Sequence, residues 1–279
     1  MRLRPVVPVP AEERIQYRTS DGFVLTGLVA SPPRPSGWVV LMHGITESKD
    51  EYGRFYVDLA GALNAAGRAT LRFDFRGHGE SSGSSMDVSV VGDTLDVEAT
   101  VRQLPKGAKG RLDFVATSFG AGPALLATAS PGIAPRSITL IAPVLDYRRT
   151  FLEPETPWGK EWFSARALSR LSTRGRLRLE KFDLSPRLIE EFRLIRPVDF
   201  LARVGVPTLI IHGDRDSVVP YAVSQEVAST MPNIRLHTLR DADHGYPHYQ
   251  DETGKDARSC ALRGELVREA VEFVTSKSR

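Results

Sequence analysis

The chain has 279 residues, 41% apolar and 25% charged, with a formal net charge of +3 at pH 7. That is the composition of an ordinary globular protein able to bury a sizeable core, and so small a charge excess gives no reason to expect a nucleic-acid or membrane partner. The single cysteine, Cys260, excludes an internal disulfide, and no run approaches the ~18 uninterrupted apolar residues of a membrane helix.

The amino-terminal stretch 1–14 is basic but holds no apolar block of leader length, so a cytoplasmic protein is expected. Residues 15–19 and 23–29 flank Ser20-Asp21-Gly22, the pattern of two antiparallel edge strands joined by a hairpin loop. Residues 38–42, WVVLM, are continuously apolar, as a parallel strand covered on both faces should be, and end in His43-Gly44-Ile45-Thr46. Ser48 with Glu51 reads as a capping box, opening a helix whose Tyr52, Phe55, Tyr56, Leu59 and Leu63 share a face. A strand at 69–75 runs into the glycine-rich RGHGES, and 88–104 reads as a helix.

The stretch 111–130, RLDFVATSFGAGPALLATAS, predicts a buried strand, a tight turn at Ser118 and a helix. Such a turn leaves no room for bulk two residues before or after the serine, and Ala116 and Gly120 stand there: G-x-S-x-G with its first glycine relaxed to alanine. The turn would lift the Ser118 hydroxyl above the carboxyl edge of a sheet and aim the Phe119 N–H at the same point. The segment reads equally as an ordinary strand-to-helix turn with serine as N-cap.

A strand at 137–142 follows, and then strand-helix alternation lapses over 146–200. This basic interval carries Trp158, Trp162, Phe163, Phe182 and Phe192, with helical pieces around 157–170 and 186–195. It is expected to form a cap or lid insertion, leaving 1–145 and 201–279 as the core domain. A strand at 208–211, a helix at 220–231, a strand at 234–239 and a closing helix at 259–276 complete the chain. The fold class is therefore α/β: a mostly parallel, twisted sheet of about eight strands with helices on both faces and ligands beyond the strands' carboxyl ends.

Polar residues gather at those ends. HGDRDSVVP follows one apolar strand and RDADHGY the next, so serine, acid and histidine occur in that chain order, each in a loop after a predicted strand. With LMHGIT, RFDFRGHGES, ATSFGAG, IIHGDRDSVVP and DADHGY in this order and spacing, the sequence resembles the α/β-hydrolase family over nearly its whole length. It looks most like small-cap serine esterases of the cinnamoyl and feruloyl type; serine peptidases and acyltransferases share much of the pattern. It departs at Ala116 and Ala121, where glycine is more usual, and at Thr117, where histidine is common.

A serine hydroxyl is a poor nucleophile without an adjacent base, so Ser118 requires a histidine within hydrogen-bond reach. Of six histidines, His244 follows the last strand, while His43 and His78 sit in glycine turns and read as holding loop backbone. His212 reads as a turn residue under the acid loop, and His237 and His248 have no motif. The base needs a carboxylate to orient it. The resemblance implies Asp216 for this role, Asp214 being better placed to cap the turn and Asp243 too close in the chain to face the ring. It also implies an oxyanion hole from the Ile45 and Phe119 N–H groups, and cap aromatics Trp158, Trp162 and Phe163 shaping a substrate pocket.

The expected reaction is hydrolysis of a small-molecule carboxylic ester through an acyl-enzyme, with no metal or cofactor and no nucleic-acid or membrane partner, in a monomer or homodimer. A thioesterase or aminopeptidase-like amidase with the same residues is the alternative, and a non-catalytic receptor on the same fold a further one. The sequence contains no dinucleotide fingerprint, P-loop or H-E-x-x-H, and a serine at 118 argues against dehalogenase or epoxide-hydrolase chemistry. The basic run from Arg166 to Lys181 reads as a solvated face or as a surface for an anionic group.

Overall fold

The computed structural model describes residues 11–108, 111–251 and 253–276; residues 1–10, most of the stretch weighed as a leader, lie outside the described residues. The strands are β1 (Glu13–Arg18), β2 (Val24–Ala30), β3 (Gly37–Met42), β4 (Arg68–Phe73), β5 (Leu112–Thr117), β6 (Ser137–Ile141), β7 (Leu177–Leu179), β8 (Phe182–Leu184), β9 (Thr208–Gly213) and β10 (Ile234–Leu239). Among the described residues eight of them form one sheet in the order β1-β2-β4-β3-β5-β6-β9-β10. From β4 to β10 neighbours run parallel, whereas β1 and β2 are antiparallel and form one edge. The remaining two strands pair as a separate hairpin.

The continuously apolar strands are explained by two cores. Along β3, Val40 and Met42 face one core and Val39 and Leu41 the other; Phe114 and Ala116 of β5 are likewise opposed to Val115. The first core is closed by α2 (Val90–Gln103), α3 (Ala121–Ala127), α8 (Pro197–Val204) and α9 (Tyr221–Thr230), through residues such as Val97, Leu125, Leu201 and Val223. The second is closed by α1 (Phe55–Ala65) and α10 (Ala257–Thr275), through Leu59, Leu63, Leu266 and Ala270.

Between β6 and α8 the chain forms a π-helical turn, Arg148–Leu152, then α4 (Pro157–Trp162), α5 (Ala165–Ser169), α6 (Leu171–Arg174), the β7–β8 hairpin and α7 (Pro186–Leu194). These pieces enclose a third apolar cluster, in which Phe151 stacks on Phe192 at 4.4 Å between ring centroids and packs against Phe163 at 4.9 Å. The hairpin, whose strands are too short for a period-two pattern, and α8 are elements beyond those expected from the sequence. The expected boundary at residue 200 falls inside α8, which packs Leu201 into the first core.

Another departure concerns Glu51. Helix α1 begins at Phe55, after a single 3-10 turn at Tyr52–Arg54, so Ser48 and Glu51 do not form the capping box. The Glu51 carboxylate instead reaches back to the loop after β3 and accepts the Gly44 N–H at 2.8 Å.

At the end of β5, Ser118 adopts φ 52°, in the left-handed region, and a 3-10 turn, Ser118–Gly120, leads directly into α3. A Cβ on Gly120 would lie 2.5 Å from the His43 carbonyl oxygen and 2.8 Å from that of Met42, so the turn abuts β3 with no space for a methyl group. Gly120→Ala is therefore expected to lower folding stability by about 1–3 kcal/mol, since backbone rather than a flexible side chain would have to move. Urea or thermal unfolding of the variant checks this; an unchanged midpoint would show that the end of β3 yields freely.

Candidate active site

The left-handed backbone at Ser118 places its side chain, 7% exposed, at the carboxyl ends of β3 and β5. Loops after β9 and β10 bring the other two polar groups to it. His244 Nε2 lies 3.1 Å from Ser118 Oγ, across 126 positions of chain, and His244 Nδ1 lies 2.8 Å from Asp216 Oδ2. A carboxylate only accepts, so Nδ1 carries the proton and Nε2 is left to accept the serine hydroxyl.

The Asp216 side chain is fully buried, and both its oxygens are occupied. Oδ1 accepts the Val218 and Val219 N–H groups at 2.8 and 2.7 Å, and Oδ2 receives His212 Nε2 at 3.0 Å as well as His244. Burial opposes its ionisation, but the two histidines outweigh burial and hold the carboxyl far below its ordinary range. Burial likewise opposes protonation of His244, yet the charge and hydrogen bond of Asp216, with Glu51 and Asp243, raise the imidazole above its ordinary value.

The two rejected aspartates are engaged elsewhere. Asp214 accepts the Asp241 N–H at 2.7 Å, tying the loops after β9 and β10 together. Asp243 Oδ1 accepts the Ser217 N–H and hydroxyl and the His244 N–H, and makes no hydrogen bond to the ring. Thr117 Oγ1 meets Tyr56 OH at 2.7 Å, and the same phenol donates to the Met42 carbonyl, so α1 pins the ends of β3 and β5 side by side.

The loop carrying Ile45 is held from three directions. His43 Nδ1 donates to the Gly44 carbonyl at 2.7 Å, while its Nε2 accepts the Phe75 N–H at 3.0 Å. His78 Nε2 accepts the Thr46 N–H at 3.3 Å, and its ring stacks on Phe182 of the β7–β8 hairpin. Glu51 completes the brace at Gly44. Burial pushes the Glu51 carboxyl up to about 7, aided by Glu47. Local sequence offered no signal for this role, because Glu51 and Gly44 meet only through a loop reversal; the helix-start pattern masked it.

A cavity of about 430 Å³ opens onto Ser118 and His244. Its lining includes Ile45, Tyr52, Val144, Phe151, Leu179, Val218 and Val219, with Glu47, Glu51, Glu180 and Asp243 as carboxylates. Of the aromatics expected there, Trp158 lines the cavity. Phe163 and Trp162 do not: Phe163, 1% exposed, is packed behind Phe151 and Trp158, and Trp162 joins the same apolar cluster. Leu179 and Glu180, from a hairpin absent from the sequence reading, take their place. Ile45 lines the cavity beside Ser118, whereas Phe119 does not, its ring packing against Tyr147 and Phe192. Among the described residues, no group of three or more His, Cys, Asp or Glu side chains is arranged to hold a metal ion, and no helix is long and apolar enough to cross a membrane.

The family model described as "Alpha/beta hydrolase family" matches residues 39–254. The structure is similar to Est1E from Butyrivibrio proteoclasticus with ferulic acid bound, at 22% identity over 92% of this chain and 98% of that one, with a TM-score of 0.70. It is similar also to the esterase Pf2001 from Pyrococcus furiosus (22% identity, 95% and 90% covered, TM-score 0.67) and to the esterase EaEST from Exiguobacterium antarcticum (18%, 94% and 99%, 0.67). At these identities the likeness is one of fold.

The two loop histidines set a pH limit. Burial lowers His43 to about 4 and His78 to about 3, His43 adding to the effect on His78. Both are neutral in the folded chain. Below the ordinary histidine pKa of 6.5 the unfolded chain takes up protons that the folded chain refuses, so stability is constant above pH 6.5 in this respect and is lost as pH falls towards 4 and then 3. The loss is about 3 kcal/mol for one such ring, and the two are not additive because they share a cage. Urea unfolding between pH 3 and 8 is expected to show this fall, and a shallower one in His78→Asn. An identical slope in that variant would assign the acid sensitivity to other groups.

Proposed function

The chain belongs to the alpha/beta hydrolase family, and on that premise we propose that it hydrolyses carboxylic esters through an acyl intermediate on Ser118. The observation that carries the proposal is the unbroken hydrogen-bonded path from Ser118 Oγ through His244 to Asp216, opening onto a cavity. A serine in an α/β sheet has no structural need for an oriented imidazole and a buried carboxylate behind it. The likeness to Est1E, Pf2001 and EaEST is consistent with this chemistry.

In the proposed reaction Ser118 Oγ attacks the ester carbonyl as its proton passes to His244 Nε2, and the resulting imidazolium is stabilised by Asp216 through Nδ1–H. Charge developing on the carbonyl oxygen is met by the Ile45 and Phe119 N–H groups. Collapse of the tetrahedral species expels the alcohol, which takes the proton from Nε2. Water, activated by the same imidazole, then releases the acid and regenerates the serine. Phe151, Trp158 and Leu179, contributed by residues 146–200 acting as a cap, supply apolar wall for the acyl or alcohol group.

Ser118→Ala is expected to abolish labelling by a fluorophosphonate and to reduce kcat/KM for aryl esters by about 10⁴-fold or more, with folding retained. Asp216→Asn is expected to cost ~10⁴ in kcat, because the imidazole would no longer be held in the accepting tautomer. Labelling that persists in Ser118→Ala would remove the proposed nucleophile. Trp158→Ala should raise KM for aromatic acyl esters more than for acetate, as read from an ester panel graded by acyl size; equal effects would take Trp158 out of the acyl pocket.

A further inference from the structure

His212 stands at the end of β9, its ring completely buried. Its Nε2 lies 3.0 Å from Asp216 Oδ2, the same oxygen that receives His244 Nδ1 at 2.8 Å. The other ring nitrogen is 2.7 Å from Ser224 Oγ on α9, and the ring stands edge-on to Tyr221 with 5.4 Å between centroids. Because a carboxylate can only accept, both imidazoles present N–H to one oxygen, while the second oxygen is saturated by the Val218 and Val219 amides.

We propose that His212 is a positioning residue: it shares the Asp216 carboxylate with His244, fixes which oxygen faces the base, and limits how strongly that carboxylate holds the imidazolium. This rests on the serine-hydrolase function proposed above. Each donor to a carboxylate oxygen draws on the same negative charge, so a second N–H weakens the pull on the first.

The other groups around His244 show why such a limit is useful. Asp243 from its own loop and Glu51 from the loop after β3 both favour the charged ring, Glu47 of that loop interacts with it, and Glu180 of the hairpin faces Glu47 across the cavity. Every one of these groups is an acid, and each that acts on His244 stabilises the imidazolium. A general base works best with its pKa near the working pH, and a ring held too firmly in its charged form cannot take the serine proton. His212 counters this by drawing on the same Asp216 oxygen that receives His244 Nδ1.

His212→Phe, which keeps a buried ring and removes the donor, and His212→Gln, which restores an amide donor, test the inference. Two readouts are needed: the acid limb of kcat/KM against pH on an aryl ester, and the His244 imidazole titration followed by NMR. In His212→Phe both are expected to move upward by about one pH unit, and His212→Gln should recover part of the shift. Should His212→Phe not fold, Ser224→Ala retains both imidazoles, frees the far end of the His212 ring, and is expected to shift the His244 titration in the same direction by less. A titration that is unmoved or moves downward in a folded variant would reduce His212 to a packing residue. Fluorophosphonate labelling of the wild type reports separately on the serine-hydrolase proposal, and the NMR titration still decides the role of His212 if that labelling fails.

Discussion

A strand can turn into a helix within one residue only if that residue accepts a left-handed backbone and its neighbours leave room, and the architecture depends on this happening at Ser118. Its φ of 52° is a conformation that non-glycine residues seldom adopt. The surroundings over-determine it. Gly120 lies against the carbonyls of His43 and Met42, Ala116 pairs in register with Met42, and the Ser118 carbonyl accepts the Val144 N–H at 3.0 Å. Strain at one residue is thus held by backbone contacts from three strand ends, and the same contacts put the hydroxyl where loops from β9 and β10 can reach it.

Around that point charge and neutrality are arranged by burial. His43 and His78, stripped of water, remain neutral and serve as hydrogen-bonding struts for the loop bearing Ile45. Asp216, equally dry, stays ionised because four donors surround it. Similar burial therefore produces opposite protonation behaviour, decided by whether charged or dipolar partners offset desolvation. His43 and His78 also touch edge-on, ring centroids 4.9 Å apart, which further disfavours charging either.

The segment between β6 and α8 joins this framework through specific contacts rather than by covering it loosely. Phe182 stacks on His78 at 4.7 Å, coupling the β7–β8 hairpin to the loop after β3. Glu191 of α7 accepts the Val90 and Val91 N–H groups, the free donors at the start of α2. Beneath, Phe151, Phe163 and Phe192 form an aromatic layer, and Phe151 with the neighbouring Trp158 becomes cavity wall.

The sequence by itself determined the order of the elements that build the main sheet, the two-faced burial of that sheet and the placing of Ser118, Asp216 and His244 directly after strands. Those features are written locally: apolar runs such as Trp38-Val39-Val40-Leu41-Met42, small residues at fixed offsets from Ser118, and polar loops directly after strands. Tertiary structure alone decided that Glu51 braces Gly44 instead of capping α1, that His212 shares the oxygen bound by His244, and that Leu179 and Glu180 face the cavity while Trp162 and Phe163 turn from it. The physical reason is that a periodicity or a turn is fixed by chain neighbours, whereas the partner of a carboxylate, or the depth of an aromatic ring, depends on which distant loops arrive at the same place.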